Sequence, residues 1–424
     1  MSMLVPDHSP RAERVVHIRL APLVIAALLS FSTRVSADER AGRSTGALRL
    51  RGSVAASFGT TSGVGPREVS APALAVEGRV KPSIRLGRFR IALPLAFEHF
   101  ERIGGPLDTT SANVTLLAGA RLTGWLRFRA DASVGGVRRV GWPDLFQPRG
   151  STLVESDRFS HFDRSVGARA VFSVSAADRV AVRFFGSLED GTDDPAFQPV
   201  FWPDHIAPSD HQRTEVDLSW KRTLGKKGRL RLGVALSQRE DFFRFAQDAG
   251  TGHTHAGPGG APPNPLRRVR GGSPWLDGRL RISRRIGLEA GYALRFVDDP
   301  FEGYQTTMTH APWFEVRYRS RHRVALRARA QLESRHYGEG SYSEGPGHPP
   351  LDEGKRRYAR RVTAALAAEA PLAKRLFLTA SVAMLARRTN FPDYVSGVHP
   401  ANRRYDIDWD YDSYKVLMGL RTSF

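Results

Sequence analysis

The sequence predicts a closed antiparallel β-barrel that crosses a membrane, and three observations support this fold class. Between Leu48 and Phe424, separate segments carry apolar residues at every second position, which is the period of a β-strand. About sixteen such segments follow one another, with about 14 or 18 as the alternative counts because patterns define strand ends poorly. Short and long connections alternate between them, as in a meander threaded through a bilayer.

The N-terminal residues predict a secretory signal peptide. Arginines precede an apolar run, 20–31, and small residues follow it at 35–37. We therefore assign 1–37 to the signal peptide, 38–46 to a short periplasmic segment and 47–424 to the barrel. No later stretch offers the ~18 apolar residues of a membrane-spanning helix.

Composition narrows the function classes. The chain has 424 residues, no cysteine and a formal net charge of +20. The absence of cysteine excludes disulfides and thiolate metal sites. The excess of basic residues does not indicate a nucleic-acid partner, because arginines recur singly at alternate positions of strand-like segments in a chain predicted to be exported. No cofactor is predicted.

The predicted strands alternate in the same way throughout. In the segment 126–134, for example, Leu126 and Phe128 share one face, whereas Arg127 and Arg129 share the other. The segments are 48–58, 74–81, 89–97, 114–122, 126–134, 166–174, 180–188, 216–224, 230–236, 276–282, 286–296, 314–318, 324–332, 362–366, 376–386 and 414–424.

The connections also predict which loop narrows the barrel. Short turns are expected at 123–124, 176–178 and 225–228, and long loops at 135–163, 189–213, 239–274, 335–357 and 388–411. Because little chain precedes the first strand, any constriction must come from an outer loop. We expect it from 239–274, predicted to be the longest, and otherwise from 135–163.

The last strand carries the clearest resemblance to a known class. Tyr414, Val416, Met418, Leu420 and Phe424 lie on one face and end on an aromatic residue. This pattern resembles the C-terminal insertion signal of bacterial outer-membrane β-barrel proteins, without matching a specific porin family. The resemblance implies the outer membrane of a Gram-negative bacterium, with barrel-assembly machinery, outer-membrane lipid and lipopolysaccharide as partners.

Arginines dominate the face opposite the apolar one. A lumen with excess guanidinium groups attracts anions and disfavours cations, so the sequence predicts a porin-like channel for passive diffusion of small hydrophilic solutes, leaning toward small anions. Alternatively, these arginines pair with acidic residues of neighbouring strands and only brace the wall. The predicted pore-lining residues are Arg49, Arg51, Arg79, Arg127, Arg129, Arg169, Arg183, Arg231, Arg279, Arg295, Arg317, Arg327, Arg329 and Arg361.

Two other functions are compatible with such a barrel. The segment 410–420 is similar to the ends of barrels that serve surface assembly or export, although this chain lacks their helical-repeat domain. A receptor or adhesin with functional outer loops is the other alternative. We also expect a homotrimer, packed through the small-residue wall at 364–370 and 376–386.

Metal and catalytic sites receive weaker support. Asp406, Asp408, Asp410 and Asp412 alternate along one strand end and could bind a divalent cation. A polar strand end that is solvated or paired with Arg403 and Arg404 is the simpler explanation, and we favour it. No serine stands out beside His99, His161 or His336, the histidines near strand ends. The chain is therefore predicted not to be an enzyme.

Overall fold

A computed structural model describes the barrel strands and the turns at one of its ends. The described residues are 48–62, 70–103, 108–140, 161–191, 211–246, 264–303, 306–338, 358–389, 394–395, 406–407 and 411–424. The predicted signal peptide and periplasmic segment lie outside these residues and stay predictions. No helix that could cross a bilayer occurs in the described part of the chain.

The described residues form twenty strands. In chain order these are β1 Gly52–Thr61, β2 Ala71–Val80, β3 Ser83–Leu86, β4 Phe89–Ala92, β5 Leu95–Arg102, β6 Asp108–Arg121, β7 Leu126–Val140, β8 His161–Ser173, β9 Asp178–Gly191, β10 His211–Leu224, β11 Gly228–Phe245, β12 Leu266–Arg281, β13 Ile286–Asp298, β14 Thr307–Arg319, β15 Ala325–Tyr337, β16 Tyr358–Pro371, β17 Leu376–Thr389, β18 Tyr394–Val395, β19 Asp406–Ile407 and β20 Tyr411–Ser423.

The strands close into a barrel of sixteen staves, which confirms the predicted fold class and strand number. Each stave pairs antiparallel with its neighbours, and β20 pairs with β1 from Ser53 opposite Ser423 to Thr61 opposite Lys415. The short strands β18 and β19 form a separate hairpin before β20. Closure pairs the backbone of every stave on both sides, which a sheet in hydrocarbon requires.

Two staves are interrupted at facing prolines. Pro82 separates β2 from β3, and Pro94 separates β4 from β5. Proline has no backbone N–H and therefore breaks a ladder at its own position. The proline carbonyls still accept hydrogen bonds: Pro82 O accepts from Leu93 N at 3.0 Å, and Pro94 O accepts from Thr115 N at 2.9 Å. The wall therefore stays continuous there.

Short turns gather at one end of the barrel, together with the pairing of Gly52 and Phe424. In outer-membrane barrels this is the periplasmic end, and the long connections lie at the opposite, outer end. Gly87 and Gly225 occupy such turns with a φ of 57°, a left-handed conformation that favours glycine.

The predicted loop bounds were wrong at the outer end, because the strands run on above the apolar belt. Strand β11 continues to Phe245 and β12 begins at Leu266, so 239–245 and 266–274 are strand, and 247–263 lies outside the described residues. Likewise, β7 reaches Val140 and β8 begins at His161, which leaves 141–160 undescribed. Neither predicted constriction is tested, because the residues that connect these strands, 141–160 and 247–263, lie outside the described residues.

Burial is inverted relative to a soluble protein. Large apolar side chains point outward and are exposed, with Val166 at 63% and Phe184 at 58%. Among the described residues, Glu315 is the largest side chain that is fully buried. A closed ladder surrounded by exposed apolar side chains is stable only if lipid covers that face. The chain is therefore an outer-membrane β-barrel.

Candidate functional site: the arginine-lined lumen

Strand alternation places the predicted arginines on the inner face. In β7, Phe128 and Val134 belong to the exposed apolar belt, so Arg127 and Arg129 point into the lumen. The same parity applies to each predicted arginine that lies within a strand. Arg49 and Arg51 instead precede β1 at the periplasmic end, where Arg49 forms an isolated bridge with Ser83.

One part of the wall, β11 to β15, carries compensated charges centred on two buried acids. Glu315, whose side chain is 1% exposed, accepts hydrogen bonds from Arg317 and, at 2.6 Å, from Arg327. Glu289 is the second centre. Its carboxylate lies 3.3 Å from Arg279 Nε, 3.6 Å from Arg229 Nη2 and 3.4 Å from Arg317 Nη2.

Further ion pairs extend this bracing. Arg231 binds Asp277 at 2.7 Å, and the other pairs likewise join arginines to carboxylates of neighbouring or next-neighbouring strands. These pairs are Arg79 with Glu98 at 3.2 Å, Arg295 with Glu333 at 3.3 Å and Arg421 with Glu369 at 2.8 Å. The alternative that arginines brace the wall therefore holds for this set.

The wall formed by β4 and β6 to β9 is different, because its arginines form a row with little compensation. Register places Arg129 directly opposite Arg169, and Arg169 directly opposite Arg183. Arg90 continues the row, with only Gly119 between it and Arg129. We call Arg90, Arg129, Arg169 and Arg183 the arginine row.

Two acidic residues lie beside the arginine row. Asp217 lies directly opposite Arg183 in the register of β9 and β10, but its carboxylate is not within 4.0 Å of that guanidinium. Asp131 approaches Arg129 Nε at 3.9 Å. Among the described carboxylates, none lies within 4.0 Å of Arg90, Arg169 or Arg183. Arg183 instead packs over the Phe185 ring at 4.8 Å. The described lumen thus has one electrostatically balanced side and one side with exposed positive charge.

The remaining predicted arginines are less engaged. Arg127 lies opposite Arg121. Arg329 packs over the Trp313 ring at 5.1 Å, and Arg361 lies opposite Glu333 in the register of β15 and β16. Parity places all three on the inner face, outside the arginine row.

The predicted insertion-signal residues line the barrel seam. Tyr414, Val416, Met418 and Leu420 all point outward and are exposed to lipid. Phe424 N donates to Gly52 O at 3.0 Å, and Gly52 N donates to Phe424 O at 2.9 Å. The terminal residue thus completes the pairing of β20 with β1.

The predicted aspartate site is only partly described. Asp408 and Asp410 lie outside the described residues, and only the backbone of Asp406 is described, in β19. Asp412 accepts two hydrogen bonds from Arg388, at 2.8 and 2.7 Å. Its carboxylate is therefore engaged in an ion pair, as in the simpler explanation but with a different arginine. Among the described side chains, no group of three or more acids or histidines could hold a metal ion.

A polar group on the outer wall was missed by the sequence analysis. Ser334 Oγ lies 3.2 Å from His336 Nε2, so the expectation that no serine accompanies this histidine was wrong. On the neighbouring strands, Tyr292 Oη lies 2.6 Å from His310 Nδ1. The spacing of Ser334 and His336, two residues apart on one strand face, was the available signal. That the chain is not an enzyme stays a prediction.

No protein-family model matches this chain, and no curated protein matches its sequence. Among solved structures it is similar to the outer-membrane expressed OmpT of Vibrio cholerae, with TM-score 0.43 and 10% identity over 91% of this chain and 99% of that one. It is also similar to a mutant ferric enterobactin receptor of Pseudomonas aeruginosa, with TM-score 0.44 and 11% identity over 90% of this chain and 81% of that one. A mutant porin of Rh. blastica is similar with TM-score 0.34 and 11% identity, over 89% of this chain and 100% of that one. These similarities are too low to bear on the function of the chain.

Proposed function

We propose that this outer-membrane barrel is a porin-like channel through which small hydrophilic solutes diffuse passively, with a preference for anions. Sixteen staves enclose a lumen that is too wide for wall side chains to fill, so barrels of this size commonly hold an aqueous channel. The observation that carries the anion preference is the arginine row.

The arginine row favours anions for a simple electrostatic reason. Adjacent guanidinium groups of like sign add their fields, and the low-dielectric barrel wall confines that field to the lumen. Arg90, Arg169 and Arg183 have no described carboxylate within 4.0 Å to cancel their charge. Permeating anions provide that compensation, whereas cations meet a barrier.

The reversal potential of the purified, refolded barrel in a planar bilayer under a salt gradient tests this function. The unmodified protein should give a stable conductance with an anion-favouring potential. The triple variant Arg129→Gln, Arg169→Gln and Arg183→Gln should shift the reversal potential clearly toward cation selectivity. Replacing the same three arginines by Glu should shift it further.

A matched control removes the same amount of charge outside the lumen. Arg284→Gln, Arg285→Gln and Lys374→Gln alter exposed residues of the periplasmic turns. This control should leave the potential nearly unchanged. A cation-selective or silent folded barrel would overturn the proposal, and equal shifts in the two triple variants would remove the arginine row as its basis.

A further inference from the structure

The outer wall carries a polar and basic group just above its apolar belt, at the outer ends of β14 to β17. Register places His310 opposite Ser334, Ser334 opposite Arg360, and Arg360 opposite Arg388. Like the exposed belt residues Leu332 and Val362, these four residues and His336 lie at the outward positions of their strands, so their side chains face away from the lumen. We call His310, Ser334, His336 and Arg360 the outer polar site.

The charges of this region are unevenly compensated. Arg388 is neutralised by two hydrogen bonds to Asp412, at 2.8 and 2.7 Å. Arg360 is exposed, and among the described carboxylates none lies within 4.0 Å of it. Its guanidinium lies 5.1 Å from the Tyr358 ring centroid, which holds the side chain over the wall. The charge of Arg360 is therefore not cancelled by any carboxylate of the described residues.

Hydrogen-bonding side chains lie on the strands beside Arg360. Ser334, directly opposite Arg360, shares a hydrogen bond with His336. The His336 and His310 rings meet edge-on, with centroids 6.1 Å apart, and His310 is held by Tyr292. Hydroxyl, imidazole and guanidinium groups thus converge on one patch of wall at the boundary between apolar and polar side chains.

We propose that the outer polar site binds a phosphate group of lipopolysaccharide in the outer leaflet. A guanidinium presents paired N–H donors that match phosphate oxygens, and charge-assisted bonds of this kind are strong. The acyl chains of the same lipid would lie against Leu332 and Val362, directly below the site. Position and charge therefore fit one molecule that is both apolar and anionic.

Among the described residues, the Ser334 and His336 pair lacks a group that hydrolysis of that lipid would need. A serine and histidine acting as nucleophile and base need a third group that orients the histidine. No described carboxylate lies within 4.0 Å of His336. The Ser334 and His336 pair is thus better suited to hydrogen bonding with a phosphate.

Equilibrium binding of fluorescent lipopolysaccharide to the refolded barrel in micelles tests the proposal. Arg360→Gln should weaken binding about five- to tenfold, as expected for the loss of a charge-assisted contact. Arg138→Gln is the matched control, because Arg138 is also an exposed, outward arginine near the outer end of its strand, β7. It should change affinity less than about twofold.

Two lipid variants identify the ligand group. Lipopolysaccharide stripped of its lipid A phosphates should bind weakly to the unmodified protein and equally weakly to the Arg360→Gln variant. Phosphatidylglycerol should compete poorly, and free inorganic phosphate should not compete at millimolar concentration. Equal losses in the Arg360 and Arg138 variants, or full binding of the dephosphorylated lipid, would overturn the proposal. Strong competition by phosphatidylglycerol would overturn the assignment to lipopolysaccharide.

Folding of the variants is checked separately, by the mobility shift of unboiled samples in gel electrophoresis. Arg360 is exposed on the outer wall, so its variant should fold like the unmodified chain. Should it not, Ser334→Ala provides the second variant, which removes one hydroxyl and should weaken binding about two- to fivefold.

Discussion

Glu315 joins two strands of the barrel wall through one buried carboxylate. Its carboxylate is almost fully buried, although the two arginines that donate to it are about half exposed, at 42% and 52%. A buried charge is stable only when it is paired and hydrogen-bonded. Glu315 therefore links β14 and β15 through its partners Arg317 and Arg327.

We expect Glu315→Gln to lower the free energy of unfolding by about 1–3 kcal/mol. The loss should stay below that of a fully buried ion pair, because the two arginine side chains are 42% and 52% exposed. Denaturant-induced unfolding in lipid vesicles measures it. Glu98→Gln is the control, since Glu98 and its partner Arg79 are both largely exposed, and it should change stability by less than about 0.5 kcal/mol.

Sequence alternation predicted which arginines face inward but not which of them form ion pairs with carboxylates. Arg279 and Arg317 meet Glu289 from two neighbouring strands, and that contact depends on the registers of β12 to β14. Registers arise from pairings between distant segments, so no local pattern reveals them. For the same reason, the in-register row of Arg129, Arg169 and Arg183 emerged only from the structure.

The seam between β1 and β20 depends on glycine. A Cβ on Gly419 would lie 2.0 Å from Ala56 O, and one on Gly59 would lie 1.8 Å from Val416 O. Real side chains do not tolerate such contacts with backbone. In the register of the seam Gly59 lies between Ala73 and Leu417, which belong to one buried apolar cluster.

We therefore expect Gly419→Ala to impair closure, at a cost of about 1–3 kcal/mol or more from overpacking against backbone. The fraction of refolded chain that shows the fast mobility of a closed barrel in unboiled gels should fall strongly. Gly78→Ala in β2 is the control, because no described atom lies within 4 Å of the point that its Cβ would occupy. Equal folding of both variants would show that the seam can shift to accept a methyl group.

Strand identity was predictable where strand ends were not. Every segment predicted from alternation is a stave of the barrel, because lipid imposes the pattern directly on the outward residues. Where the strands extend beyond the hydrocarbon core of the bilayer, lipid no longer imposes this pattern, and polar residues occupy both faces of each strand. Strands β11 and β12 therefore continue through residues such as Arg239 and Arg268, which the sequence analysis assigned to a loop.

Ion selectivity that arises from the fixed charges of the lumen should weaken as the salt concentration rises. The Debye length falls from about 10 Å at 0.1 M to about 3 Å at 1 M, which is short relative to a wide lumen. We expect the anion preference to decline steadily between these concentrations, at the same ratio of salt across the bilayer. Reversal potentials measured over that series test the expectation, and a constant preference would indicate direct binding at a narrow constriction instead.

The pairing of β1 with β20 also governs the order of events during assembly. It joins residues at opposite ends of the described chain, Ser53 with Ser423 among them, and gives the fold a very high contact order. A chain that stops before β20 keeps two unpaired edges, each a template for aggregation. The barrel therefore cannot mature strand by strand as it leaves the ribosome. We therefore expect the yield in the cell to depend on chaperones that hold the unclosed chain more than on translation rate.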